Sequence, residues 1–233
     1  MIEADRLKQA PHVLGACFDF NGVIVDDERH HCRALIDTLA EVRITLQPDE
    51  YYRDYLGHDD AGCFHHAWRS AGRALEPGEL VALIERKGER YRTLLDADLT
   101  LVPGIVDFLR ALAGNETRMV VVSAARRWEI EHVLTRAGVR DCFVGIVAAE
   151  DVERTKPDPE GYLKGLATLG LPADRCVVVE DSIPGARAGR SAGMRVAMVT
   201  TSHPHEELLQ AEPDVIWTNF VGHTPEELPW NPI

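Results

Sequence analysis

CFDFNGVIVDDE, residues 17–28, runs an apolar strand into an aspartate and then into a glycine turn. The lead-in, Val13–Phe18, is continuously apolar rather than alternating, the pattern of a strand buried on both faces. Asp19 closes it, and Gly22 marks a tight turn. A carboxylate at the end of a buried strand is costly unless it is paired or bound to a metal. Asp19 is therefore the first residue of interest.

Outward from this stretch, four more short apolar runs are expected to be strands: Met119–Val122, Val144–Ala148, Cys176–Val179 and Arg195–Val199. Helix-like segments alternate with them: Trp128–Arg136, Pro159–Leu169 and Pro184–Ala192. Strand alternating with helix predicts an α/β fold, a parallel sheet covered by helices. The spacing is uneven. Between the first strand and Met119 lie about a hundred residues with few strand signals and three helix-like segments, Arg33–Glu41, Asp60–Ala71 and Glu79–Leu95. The expected division is a core of residues 1–29 and 98–233 with a helical insertion over 30–97, hinged after Gly22 and across Asp96–Gly104. No repeat or low-complexity segment interrupts the pattern.

Open parallel sheets bind ligands beyond the carboxyl ends of their strands. The polar residues at those ends are Asp19, Ser123, Glu150-Asp151 and Glu180-Asp181. In VVVEDSIPGARAG, residues 177–189, two acids end a strand and small residues open a helix. Asp19, Glu180 and Asp181 converging on one crevice would repel each other, so a divalent cation is expected among them. Oxygen ligands favour Mg²⁺. TKPDPEGY, residues 155–162, adds Lys156 ahead of two prolines, and VVSAA, residues 121–125, adds the Ser123 hydroxyl and the amides beside it. A carboxylate nucleophile, a metal, a lysine and a hydroxyl together suit phosphoryl transfer through an aspartyl-phosphate.

These segments resemble, in order, the four motifs of the haloacid dehalogenase superfamily: FDFNGVIVDDE, VVSAA, KPDP and VVVEDS. IPGARAGRSAGM, residues 183–194, resembles the family's helix after the fourth motif. The resemblance covers about residues 12–29 and 100–200, and is nearest to the β-phosphoglucomutase and phosphoglycolate phosphatase branch. It implies a Rossmann-like core with strands ordered 5-4-1-2-3 and a helical cap in the insertion. It implies Asp19 as nucleophile and metal ligand, and a second metal contact through the backbone of residue 21. Ser123, with the neighbouring Ala124, and Lys156 would bind phosphate. Asp181 would be a metal ligand, with Glu180 a direct or water-mediated one.

Two departures matter. The family's phosphatases and mutases carry Asp-x-Asp in the first motif, the second acid giving and taking protons. Here that residue is Asn21, which can hydrogen-bond a leaving oxygen but cannot protonate it. Three explanations compete: a slow or atypical enzyme, a substitute acid such as Asp27, Glu28 or His31, or an engineered trap. His31 and Lys87 resemble the mutase's hinge histidine and cap lysine, and so are candidate substrate-binding residues. However, YLGHDDAG, residues 55–62, places Asp59 and Asp60 where that mutase carries a phosphate-binding arginine. Two acids there would repel a second phosphate. A phosphatase of a small organic phosphate is preferred; a sugar-phosphate mutase and an impaired phosphometabolite-binding protein are the alternatives.

Composition narrows the partners. With 38 acidic against 25 basic side chains, net charge −13, the surface suits a small phosphorylated metabolite rather than nucleic acid. No apolar run reaches the length of a membrane span. MIEADRLKQAPH, residues 1–12, lacks the apolar core of a signal peptide, so a cytoplasmic chain is expected, a monomer or weak homo-oligomer. Five cysteines without a CxxC spacing read as free thiols. His65-His66 and His203-x-His205 read as solvent-exposed, and Trp68, Tyr51 and Tyr52 as core of the insertion.

Overall fold

The computed structural model describes residues 13–230. The leading segment read above for targeting, residues 1–12, lies outside the described residues, as do the last three. The chain forms two compact units. One holds the described residues up to Asp26 and from Leu101 onward; the other is Asp27–Thr100.

The first unit is a parallel sheet of β1 (Gly15–Phe18), β2 (Arg118–Val122), β3 (Phe143–Val147), β4 (Cys176–Glu180), β5 (Arg195–Val199) and β6 (Val215–Trp217), ordered β3-β2-β1-β4-β5-β6. β1 is central, with Cys17 beside Val120 on one side and Val178 on the other. Cys17, Val120, Val122, Val178 and Val196 share a buried cluster with Tyr162 and Leu169. The alternate residues Ala16, Phe18, Val121, Val177 and Val179 are fully buried as well. Both faces are therefore covered, which is why these strands read as unbroken apolar runs.

The five expected strands keep the expected order. The sixth, β6, is a correction: it adds an edge strand next to β5. Its apolar stretch, Val215-Ile216-Trp217, is only three residues long and buried only at Trp217, so it does not stand out as the longer runs do.

The second unit contains α1 (Glu28–Glu41), α2 (Pro48–Asp54), α3 (Asp60–Ser70) and α4 (Pro77–Ala97), and no strand among its described residues. Cys32, Leu35, Leu39, Tyr51, Tyr55, Phe64, Trp68 and Leu83 form its core. Asp59 caps α3 by accepting the Gly62 N–H at 2.7 Å. Tyr52 corrects the expectation for the aromatic residues: at 47% exposed it stands outside this core, while Tyr51 and Trp68 are inside.

Back in the first unit follow α5 (Ile105–Gly114), α6 (Arg127–Ala137), α7 (Glu160–Leu169), α8 (Ile183–Ser191) and the short α9 (His205–Leu208). α5 adds a helix to those expected from the sequence, with Ile105, Phe108, Leu109 and Leu112 on one helical face and all buried. Among the described residues no helix is long and apolar enough to cross a membrane.

Candidate active site

The site is built where β1, β2 and β4 end. Asp19 follows β1 and donates its backbone N–H to Val179 on β4 at 2.9 Å, so the two strand ends stay in register. The chain then folds tightly: Phe20 O accepts the N–H groups of Val23, Ile24 and Val25, and the Gly22 N–H donates to Val25 O at 2.7 Å. Gly22 has φ +73°, and a Cβ there would fall 1.8 Å from Asp181 Oδ2. Only glycine admits both the backbone conformation and the carboxylate.

Asp19, Glu180 and Asp181 bring carboxylate oxygens within 4.8 Å of one another. Lys156 lies among them, its Nζ 2.9 Å from Asp19 Oδ1 and 2.5 Å from Glu180 Oε1. Four of the expected site residues are thus together, drawn from three separate motifs.

Glu180 is fully buried and heavily bonded. Oε1 accepts from Lys156 and from the Tyr162 hydroxyl at 2.7 Å. Oε2 accepts from the Asp181 N–H at 3.1 Å and from the Ser182 N–H and hydroxyl at 3.1 and 2.9 Å. Burial works against its charge, yet the Lys156 cation and these donors hold its pKa below the ordinary carboxylate value. Glu180 therefore serves as the anchor of the lysine. A Cβ at Gly185 would fall 1.8 Å from Glu180 Oε1, so α8 approaches this carboxylate closely only because residue 185 has no side chain.

The other two acids are less well answered. Burial pushes Asp19 up to about 6, with Lys156 pulling down and Glu180 pushing up. Asp181 is raised well above its ordinary value by burial and by the charges of Glu180 and Asp19. Lys156 is shifted upward: burial opposes its charge, but Asp19 and Glu180 outweigh it. Lys156 pairs with two of the three clustered carboxylates, Asp19 and Glu180, and one ammonium does not balance three acids. An all-oxygen donor set of this kind fits a hard divalent cation.

Ser123, buried at the end of β2, accepts the Ala125 N–H on its hydroxyl oxygen at 3.0 Å, leaving the hydroxyl proton to donate elsewhere. Ala124, beside it, is exposed. Ser123, Ala124, Lys156 and Tyr162 all line one small cavity of about 20 Å³. Asn21 is half-buried in the turn after Asp19, its backbone bridged to Val25.

His31 and Lys87 belong to the other unit, where they meet each other. Lys87 Nζ lies 2.9 Å from His31 Nδ1 and pairs closely with Asp60. Asp27, Glu28 and His31, the candidate substitute acids of one of the three explanations, are all engaged within that unit. Asp27 accepts from the Tyr91 hydroxyl and lies 3.5 Å from His31 Nε2, and Glu28 accepts from the Tyr51 hydroxyl. His65 and His205 are exposed, while His66 is half-buried against the Tyr55 ring and His203 pairs with Glu207.

Residues 16–199 match the family model of the haloacid dehalogenase-like hydrolases. The chain is a haloacid dehalogenase-like hydrolase. This hydrolase is 28% identical over 192 residues to hexitol phosphatase B of Escherichia coli strain K12, covering 80% of this chain and 83% of that one. It is 28% identical over 202 residues to the chloroplastic 5-amino-6-(5-phospho-D-ribitylamino)uracil phosphatase of Arabidopsis thaliana, covering 85% of this chain. It spans about half, 53%, of that plant protein's length. Among solved structures, CbbY from Rhodobacter sphaeroides in complex with phosphate is similar with a TM-score of 0.81 and 26% identity, covering 91% of this hydrolase and 96% of that chain.

Three residues of the site escaped the sequence reading. Tyr162 stood inside the quoted TKPDPEGY but gave no sign of which carboxylate it meets. Ser182 caps α8, accepting the Gly185 N–H at 3.1 Å, and the Ser-x-Pro-Gly order was a legible capping signal. Ser202, which donates to Asp181 Oδ2, lies in a loop after β5 that no motif marks.

Proposed function

We propose that this hydrolase is a Mg²⁺-dependent phosphatase of a small organic phosphate, with Asp19 as nucleophile. The observation that carries the reading is the Asp19 carboxylate held 2.9 Å from the Lys156 ammonium within the cluster of buried acids. Asp19, Asp181 and the backbone carbonyl of Asn21 would hold Mg²⁺, with Glu180 behind the lysine. Bound there, Mg²⁺ supplies charge neutralisation of the phosphoryl oxygens. Asp19 would attack phosphorus with a carboxylate oxygen as the bond from phosphorus to the substrate's ester oxygen breaks, and that oxygen would take its proton from water, since Asn21 has none to give. Lys156 donates to one phosphoryl oxygen, and the Ser123 hydroxyl with the Ala124 amide to another. Water then displaces the aspartyl oxygen, releasing phosphate and restoring Asp19.

Both curated relatives above are phosphatases, and their names carry a hexitol and a phosphoribityl group. A phosphorylated sugar or polyol is the substrate class that agrees with them. The helical unit, inserted after the first motif, is proposed to act as the cap. Within it Asp60 neutralises Lys87 and Asp59 is spent on capping α3, which supports a monophosphate substrate over the bisphosphate of a mutase. Asn21 favours one second reading, a protein that binds the phosphometabolite and turns it over poorly.

Steady-state hydrolysis of p-nitrophenyl phosphate with Mg²⁺ and with EDTA, for the natural chain and for Asp19→Ala, tests the reading. Metal-dependent turnover abolished by Asp19→Ala is expected. Turnover that survives Asp19→Ala removes Asp19 as nucleophile. No turnover, with a sugar phosphate still binding by calorimetry, moves the chain to the binding reading.

A further inference from the structure

We propose that Ser202 is a positioning residue for the metal, fixing the Asp181 carboxylate from a loop outside the four motifs. The proposal rests on the reading of Asp181 as a metal ligand. The Ser202 hydroxyl donates to Asp181 Oδ2. Gly22 closes the same corner, for a Cβ there would meet both Asp181 Oδ2 and, at 3.0 Å, Ser202 Oγ. Asp181 is 3% exposed, so water reaches its carboxylate poorly and the hydroxyl takes water's place as donor. With Oδ2 held in this way the carboxylate has one orientation, and Oδ1 is left for the cation. A carboxylate ligand restrained by an outer hydrogen bond loses less freedom on binding.

The loop that carries Ser202 is itself pinned at both ends. On one side the Thr200 N–H donates to Trp217 O at 3.0 Å, continuing the pairing of Val199 with Trp217. On the other, Pro204 leads into α9, and His203 Nδ1 lies 3.2 Å from Glu207 Oε2. The short strand β6 thereby has a use beyond closing the sheet edge: it holds the loop that holds the ligand.

Mg²⁺ titration calorimetry on the natural chain, Ser202→Ala, Ser202→Thr and Asp181→Ala tests this, with melting in EDTA as the folding control. Ser202→Ala is expected to bind Mg²⁺ about 10- to 100-fold more weakly. Ser202→Thr, which keeps the hydroxyl, should bind within a few-fold of the natural chain, and both should melt alike in EDTA. Natural affinity in Ser202→Ala, while Asp181→Ala loses binding, overturns this proposal alone. Equal weakening in Ser202→Ala and Ser202→Thr also overturns it, since the loop's packing and not the hydroxyl would then matter. If the natural chain does not bind Mg²⁺, or Asp181→Ala binds it normally, the metal reading falls and this inference with it.

Discussion

The Tyr162 hydroxyl and the Lys156 ammonium donate to the same oxygen, Glu180 Oε1, at 2.7 and 2.5 Å, and the ammonium stands 5.2 Å over the Tyr162 ring. Tyr162 is fully buried, so its ring and hydroxyl form a rigid support for the lysine through Glu180. Hydrogen bonds to charged groups contribute about 1.5–3 kcal/mol. Tyr162→Phe should lose about that much in urea unfolding. Its kcat/KM on p-nitrophenyl phosphate should fall roughly tenfold, the loss a misplaced contact of about 1.4 kcal/mol produces. Inhibition by inorganic phosphate should weaken in parallel. A stability loss with unchanged kcat/KM and phosphate inhibition would leave Tyr162 a packing residue only.

Asn21→Asp should accelerate alkyl phosphates far more than p-nitrophenyl phosphate. An alkoxide needs a proton as it leaves; a nitrophenolate is stable without one. General acid catalysis typically contributes about 10²- to 10⁴-fold, and a carboxylic acid at residue 21 should recover part of it. Asp and Asn are nearly isosteric, so the turn held by Phe20 O and Val25 O should survive. The rates are compared at saturating Mg²⁺, because an added charge strengthens metal binding too. An equal response of both substrates, or none, would show that residue 21 is not the missing acid.

Lys87 is 3% exposed, and its charge is answered by Asp60 and His31 Nδ1. Removing one member of a buried ion pair costs about 3–5 kcal/mol because the other charge loses its counter-ion. Asp60 is partly exposed, so Asp60→Ala should sit at the lower end, about 3 kcal/mol. The double variant Asp60→Ala/Lys87→Met, which removes both charges of the pair, should regain at least half of that in denaturant unfolding, with Lys87→Met completing the cycle. Additive losses would mean the pair is not coupled.

Asp214 accepts the Val196 N–H at 2.8 Å and pairs with Arg195 and Arg190 at 2.5 and 3.3 Å. Burial opposes its charge, but that N–H and the two guanidinium groups hold its pKa below the ordinary aspartate value. A carboxylate depressed in the folded state stabilises above its unfolded pKa, and that contribution drains away as pH falls through the folded value. Melting temperature should therefore drop on acidification below about pH 4. Asp214→Asn should melt lower at neutral pH and show a shallower acid limb. Parallel curves for the two chains would exclude Asp214 from the acid transition.

Much of this molecule was legible along the chain. β1, β2, β4 and β5 are continuous apolar runs because both sheet faces are covered, and burial on both faces leaves no place for polar alternation. Asp19, Ser123, Glu180 and Asp181 could be found because polar residues ending such runs lie at the carboxyl edge of a parallel sheet. β6 was illegible for the opposite reason: an edge strand of three residues, two of them only partly buried, is too short for a pattern strong enough to read.

The sequence by itself determined which chemical groups stand at the strand ends and in what order. Only the tertiary structure decided their division of labour. Glu180 and Asp181 are neighbours and look alike as residues, yet one anchors Lys156 and Tyr162 while the other meets Ser202. Those partners lie 24, 18 and 21 residues away. Strand order and helix packing bring them within hydrogen-bonding distance, and neither is encoded in the local pattern around the two acids. Which oxygen of a carboxylate is satisfied, and by which donor, is fixed only when distant segments close around it.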